Sequence, residues 1–295
     1  MLNVLLIGTN ILLYTLQTLL FKMYADRYTG DKKYTSFVYS VICGALAALV
    51  SLAFGGFSFE FNLTTFIFGL LNAITFPFYY LAIERASEYG PYSIVMVFSI
   101  AGGIAVPTLI SFLAFGETVS VYKLISFAVI FVAGYFVTKR PGASTKINNK
   151  GKFFLYAGLL VIANGLYGGL INLQHGFTGE AQKDEMLIYT FGITSIINLI
   201  FLFAKNGKKT PRLFCIPRVS LIFLICAVLC SALAVNMLVL IASFVDVNLL
   251  WTFNNSGVLV FSVIASAIFF KERLSLSNII GCTVIAVALV FVSMF

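Results

Sequence analysis

The sequence has 295 residues, of which 60% are hydrophobic and only 10% charged, with a mean hydropathy of +1.02. A water-soluble chain carries about a quarter charged residues, so this composition excludes a soluble globular domain and requires an integral membrane protein. The 19 Lys and Arg against 11 acids lie in the gaps between apolar runs, which argues against a nucleic-acid partner and for a lipid bilayer.

A helix needs roughly 20 apolar residues to cross the hydrocarbon core. Ten such runs follow one another, at 2–22, 35–55, 62–83, 91–114, 119–138, 153–173, 185–204, 218–241, 246–270 and 274–294. They are too long and too uniformly apolar for the strands of a membrane barrel, so the expected fold is all-α. The first run lacks the basic start and small-residue cleavage site of a secretory signal and is expected as a retained helix. The connections are short and leave no room for a soluble domain. Cys43, Cys215, Cys226, Cys230 and Cys282 suit small apolar side chains, with no disulfide framework and no metal set around them.

The basic loop 141–152 divides the chain into halves, 1–140 and 153–295, of five runs each. FGETVS at 115–120 returns as FKERLS at 270–275, so that Glu117 falls on Glu272 and Ser120 on Ser275, 155 positions apart. At that offset Phe98 meets Phe253, Gly102 meets Gly257 and Ser111 meets Ser266, without a gap. An odd number of helices per half makes the second copy enter from the opposite side. The expected architecture is therefore ten transmembrane helices as a 5+5 inverted repeat, which offers two related packings open to opposite sides. The repeated glutamates are expected at the membrane edge, with Ser120 and Ser275 capping the helices that follow. Glu84, Arg85 and Glu88 are expected at the interface as well. Seventeen of the 19 basic residues fall in odd-numbered loops and only Lys123 and Lys183 in even ones. Basic short loops stay in the cytoplasm, which places both termini outside the cytoplasmic membrane.

Ten helices, two halves and a Gly/Lys-Glu-x-x-Ser turn before the last helix of each half resemble the drug/metabolite transporter superfamily, in its EamA-like ten-helix branch. The resemblance covers the whole chain and implies transport of small metabolites, often export of amino acids or related compounds. It departs in two places. Ten-helix members are often drawn with cytoplasmic termini. The four-helix relatives use a glutamate in their first helix for proton coupling, whereas VLLIGTNILLYTLQTLLF holds no acid.

Polar groups at mid-membrane depth are costly and face a cavity or another helix. In the first run these are Asn10, Tyr14 and Gln17, spaced to share one face. The third run adds Asn72, Thr75, Tyr79 and Tyr80 beside Pro77, and the fourth adds Ser99. In the second half they are Asn164 and Tyr167, Asn236, then Trp251, Asn254 and Asn255. The candidate substrate-binding set is Asn10, Tyr14, Gln17, Asn72, Tyr79, Ser99, Asn164, Tyr167, Asn236, Trp251 and Asn255. Gly102, Pro107 and Gly257 are candidate hinges. The competing reading of any one asparagine is a hydrogen bond to a neighbouring helix. The fifth and tenth runs are plainer, and the resemblance implies that they support the bundle or join a second copy in a homodimer.

Amides and phenols suit an uncharged or zwitterionic solute, and no ionised group sits mid-run to pair with a cation or a phosphate. One His and four Asp near run ends lay out no catalytic set, so enzyme activity is not expected, nor a cofactor or a metal. No GxxxxGK[ST] loop supports ATP drive. The expected function is a secondary transporter of a small polar or zwitterionic, amino-acid-like metabolite. The alternatives are a flippase for a lipid-linked substrate on the same fold, or a non-transporting receptor or scaffold.

Overall fold

The computed structural model describes residues 2–116, 147–178, 182–242 and 247–272, with isolated positions 245, 280, 281, 283, 284 and 287. The fifth run, most of the tenth, and Glu117, Ser120 and Ser275 lie outside the described residues. Eight long helices are described: α1 Leu2–Arg27, α2 Thr35–Phe54, α3 Leu63–Tyr89, α4 Tyr92–Phe115, α5 Lys150–Thr178, α6 Lys183–Asn206, α7 Arg218–Ala242 and α8 Val247–Phe269. Helix α5 corresponds to the sixth run, and there is no strand among the described residues. Seven of these spans, all but α8, are long and apolar enough to cross a membrane by length and composition, which makes this a multi-pass α-helical protein.

The helices outrun the apolar stretches. Helix α1 reaches Arg27, α3 reaches Tyr89, and α5 begins at Lys150. Backbone hydrogen bonding continues into the interface after hydropathy has fallen. Solvent-type burial is inverted, as lipid requires. Leu113, Leu155, Ile196, Ile200 and Ile222 are exposed, while Asn10, Ser40, Asn72, Thr194 and Ser262 are wholly buried. A hydrocarbon solvent rewards the first arrangement and penalises the reverse.

Two prolines sit within continuous helices. Pro77 lacks an N–H, which strips the Ala73 carbonyl of its helical partner. The Thr194 hydroxyl of α6 lies 3.2 Å from that carbonyl and 2.6 Å from the Thr190 carbonyl of its own helix, and α3 runs on through Pro77. Pro107 is likewise inside an unbroken α4.

The principal packing pairs are α3 with α5, α1 with α7, α4 with α5, α1 with α8, α2 with α6, α3 with α6, α2 with α7 and α4 with α8. All eight join a helix of α1–α4 to a helix of α5–α8, and α2 also packs on α3 nearly as extensively as α4 on α8. The crossing of α4 on α5 is close, as is that of α2 on α6, where a Cβ at Gly44 would meet the Phe191 backbone. A Cβ at Gly102 would collide with the Val161 backbone, and a Cβ at Gly165 would strike the Val106 side chain and come within 2.6 Å of the Gly102 carbonyl. Only glycine lets two backbones approach this closely. Gly102, a candidate hinge, thus has a packing reason of its own. Gly257 meets only the Ile11 side chain.

Helix α4 ends at Gly116, with φ +65°, and the chain leaves α8 through Lys271, with φ +52°. Glycine adopts that left-handed backbone freely, whereas lysine is strained there. Lys271→Gly is expected to stabilise the protein by about 1 kcal/mol, read as a rise in melting temperature; an unchanged or lower melting point would remove the left-handed turn.

Candidate functional site

A cavity opens in the middle of the bundle, and its walls come from seven of the eight helices. Helix α1 supplies Tyr14, Gln17 and Thr18, α3 supplies Phe76, Tyr79 and Tyr80, and α4 supplies Met96, Ser99, Ile100 and Gly103. From the other side come Asn164, Tyr167 and Gly168 of α5, Phe191 of α6, Ser231 and Val235 of α7, and Asn254, Asn255 and Val258 of α8. No Asp, Glu, Lys, Arg or His is among them. The space free of atoms between these walls, open mouth included, is about 810 Å³.

The wall is held by polar contacts at its back. The Asn164 Nδ2 donates to the Ser99 carbonyl at 2.7 Å, joining α5 to α4. The Tyr92 hydroxyl donates to Thr18 Oγ1 at 2.7 Å, joining α4 to α1. Tyr80 lies 3.5 Å from the Ser231 hydroxyl and accepts from the Tyr39 hydroxyl at 3.4 Å. Rings pack edge to face around Phe76, with Tyr80 at 5.1 Å and Phe191 at 5.2 Å between centroids. These contacts fix the orientation of the aromatic faces.

Seven of the eleven sequence candidates gather here: Tyr14, Gln17, Tyr79, Ser99, Asn164, Tyr167 and Asn255. Asn10, Asn72 and Asn236 are not in the wall. The Asn10 Nδ2 donates to the Ala234 carbonyl of α7 at 2.7 Å. The Asn72 Nδ2 donates to the Tyr167 carbonyl of α5 at 3.2 Å, and the Asn236 Nδ2 to Ser51 Oγ of α2 at 3.0 Å. All three tie helix to helix, which is the competing reading weighed for each asparagine. Trp251 is on α8, but its side chain lies outside the described residues. Sequence reasoning passed over Thr18, Phe76, Met96, Phe191 and Ser231. Thr18 and Ser231 carried a readable signal, as hydroxyls one helical position or one turn from other lining residues.

Asn10→Leu is expected to lower stability by about 1 kcal/mol, since interhelical hydrogen bonds in membranes contribute on that order. The same variant should leave solute affinity unchanged. A large affinity loss at unchanged stability would return Asn10 to the cavity.

Of the interfacial trio, Arg85 pairs with Glu88 at 2.9 Å, and both are partly exposed. Glu84 differs from the interfacial expectation: it is buried, and its Oε2 has no hydrogen-bond partner. It lies one position from Arg85 but on the inward side of α3. No group of three or more His, Cys, Asp or Glu that could hold a metal occurs among the described residues.

Glu272 does something the sequence did not indicate. Helix α4 begins after Pro91, which has no side-chain hydrogen bond to offer its first amides. Glu272 supplies them from the far end of the chain. Its Oε1 accepts from the Tyr92 N–H at 2.7 Å, and its Oε2 accepts from the Ser93 N–H at 3.3 Å and the Ser93 hydroxyl at 2.7 Å. The carboxylate thus satisfies orphan amides and sits at the positive end of the helix dipole. Helices α3 and α5, by contrast, are capped locally, by Asn62 onto Thr65 and by Asn149 onto Lys152.

The chain matches no protein-family model, and no curated protein matches it.

Proposed function

We propose that the chain is a secondary transporter in which ten helices form a 5+5 inverted repeat. It moves a small polar or zwitterionic metabolite across the cytoplasmic membrane by alternating access, as the EamA-like resemblance implies. The observation that carries this reading is the packing. Exchanging α1 with α5, α2 with α6, α3 with α7 and α4 with α8 turns each of these eight pairs into another of the eight, or into itself, whereas the α2–α3 contact, nearly as extensive as α4–α8, has no counterpart of similar extent between α6 and α7. The cavity lies where the exchanged sets meet, with polar and aromatic groups from both.

Register supports the same reading. Helix α4 starts at Tyr92 and α8 at Val247, and the left-handed positions are Gly116 and Lys271. Both pairs are 155 apart, which is the offset of FGETVS and FKERLS. An inverted repeat of this kind has two conformations of similar energy, because either half can adopt the other's arrangement. A cavity without ionised groups lets an uncharged solute cross without stranding a charge.

The test is access to the cavity from each side. Ser99→Cys, in a chain whose native cysteines are replaced, is reconstituted in vesicles of known orientation. Labelling by a membrane-impermeant maleimide from either side, with solute shifting the balance, is expected. Labelling from one side only, under all solutes, would favour a receptor or scaffold.

A further inference from the structure

The segment that joins α6 to α7, KNGKKTPRLFCIPR at 205–218, holds five cations and no acid. Lys205, Lys208, Lys209, Arg212 and Arg218 are all exposed. No ion pair among the described residues engages any of them. The nearby acids at this end of the bundle are taken: Asp26 pairs with Lys22, Glu88 with Arg85, and Glu272 holds the first amides of α4. The segment is also fixed in place. It forms a 3₁₀ turn at Gly207–Lys209 and a short helix at Thr210–Leu213. The Thr210 hydroxyl donates to the Leu202 carbonyl of α6 at 3.1 Å, and the Tyr28 hydroxyl, just past α1, donates to the Leu213 carbonyl at 2.8 Å. Leu213 is buried in the main core, and Phe214 and Ile216 pack against it. Apolar side chains therefore turn inward and the cations stay out. On the adjoining turns of α6 and α7, Phe203, Val219 and Ile222 are exposed toward lipid.

We infer that the 205–218 segment is a docking surface for anionic phospholipid of the adjacent leaflet. The headgroup phosphate meets Lys208, Lys209 and Arg212, and the tails run along Phe203, Val219 and Ile222. Each Lys or Arg held near an anionic membrane surface strengthens binding about fivefold. The arginine adds a planar fork that matches phosphate oxygens. A mobile basic tail loses entropy when it is ordered by a ligand, whereas this backbone is already held by its own hydrogen bonds and buried side chains. A zwitterionic phospholipid carries a cation of its own, which the patch repels. A soluble phosphate offers nothing to the apolar turns below. The inference needs only the membrane-spanning bundle and is independent of the transporter reading.

The experiment uses the full chain, purified in a non-ionic detergent and titrated with phosphatidylglycerol or with phosphatidylcholine of identical tails. Bound lipid is counted by native mass spectrometry. Phosphatidylglycerol is expected to bind about tenfold more tightly or better, and the joint variant Lys208→Gln, Lys209→Gln, Arg212→Gln should lose at least about tenfold of that affinity. Lys32→Gln with Lys33→Gln removes exposed cations from the same end of the bundle and should change binding by about twofold or less. Equal loss in the two variants would mean a diffuse basic face and overturns the site. Glycerol phosphate at the same concentration should not displace the lipid; if it does, the surface is an open anion site and the inference falls. The wild type alone provides a further test where a variant fails to fold. Its phosphatidylglycerol binding should weaken steeply as ionic strength rises from about 0.01 M to about 1 M, because exposed charges are screened. Equal affinity for the two lipids, or binding indifferent to salt, overturns the inference.

Discussion

Gly102→Ala is expected to lower the unfolding free energy by about 3 kcal/mol, the upper range for forcing an atom into a filled site. The added methyl has nowhere to go. The atoms it would meet are the carbonyl oxygen, Cα and carbonyl carbon of Val161, which belong to the α5 backbone and cannot rotate away. The two helices must part, and Gly165, which meets Val106 and the Gly102 carbonyl at the same crossing, parts with them. In a bilayer, where van der Waals packing holds helices together, lost contact has no hydrophobic compensation. The control is Gly158→Ala on α5, where no atom lies within 4 Å of the added Cβ. That variant should melt at or slightly above the wild-type temperature, since alanine favours helix over glycine. Thermal melting of the three proteins in one detergent decides the matter. Equal melting of Gly102→Ala and wild type would mean that α4 and α5 do not touch there.

Glu272→Ala should cost about 2 kcal/mol, from charge-assisted hydrogen bonds to the first amides of α4 and its dipole. Ser93→Ala removes one of the three contacts and should cost about half as much. The two losses should not add, because both variants break the same hydrogen bond between Glu272 Oε2 and the Ser93 hydroxyl. Glu272→Gln keeps an acceptor oxygen but loses the charge, and should fall between wild type and alanine. Strict additivity in this double-mutant cycle would show that Glu272 acts elsewhere.

Hydropathy made the eight described helices legible because their cores are uniformly apolar. It misplaced their ends because helices continue past the hydrocarbon, as α1 does through Lys22 to Arg27. The cavity was legible in kind, since amides and tyrosines at mid-run depth have few other uses. It was not fully legible in membership. Asn10 and Tyr14 share a face of α1, yet one turn of depth separates the Ala234 carbonyl from the cavity. Asn236 follows Val235, a lining residue, and the rotation of about 100° between neighbours turns it toward Ser51 instead. The repeated glutamate was visible, but a cap set 180 residues from the amides it serves leaves no local trace.

The cross-half packing has a consequence for synthesis. Helices α1 to α4 leave the ribosome first, and each has its principal partners among helices not yet made. They must wait in the membrane as inserted but loosely associated spans. The tie from Glu272 to α4 forms only when residue 272 arrives, with most of the chain already complete. Assembly is therefore a late, concerted event rather than a domain-by-domain one. The two halves supplied as separate polypeptides should find each other in the membrane, whereas either half alone should remain open to proteolysis.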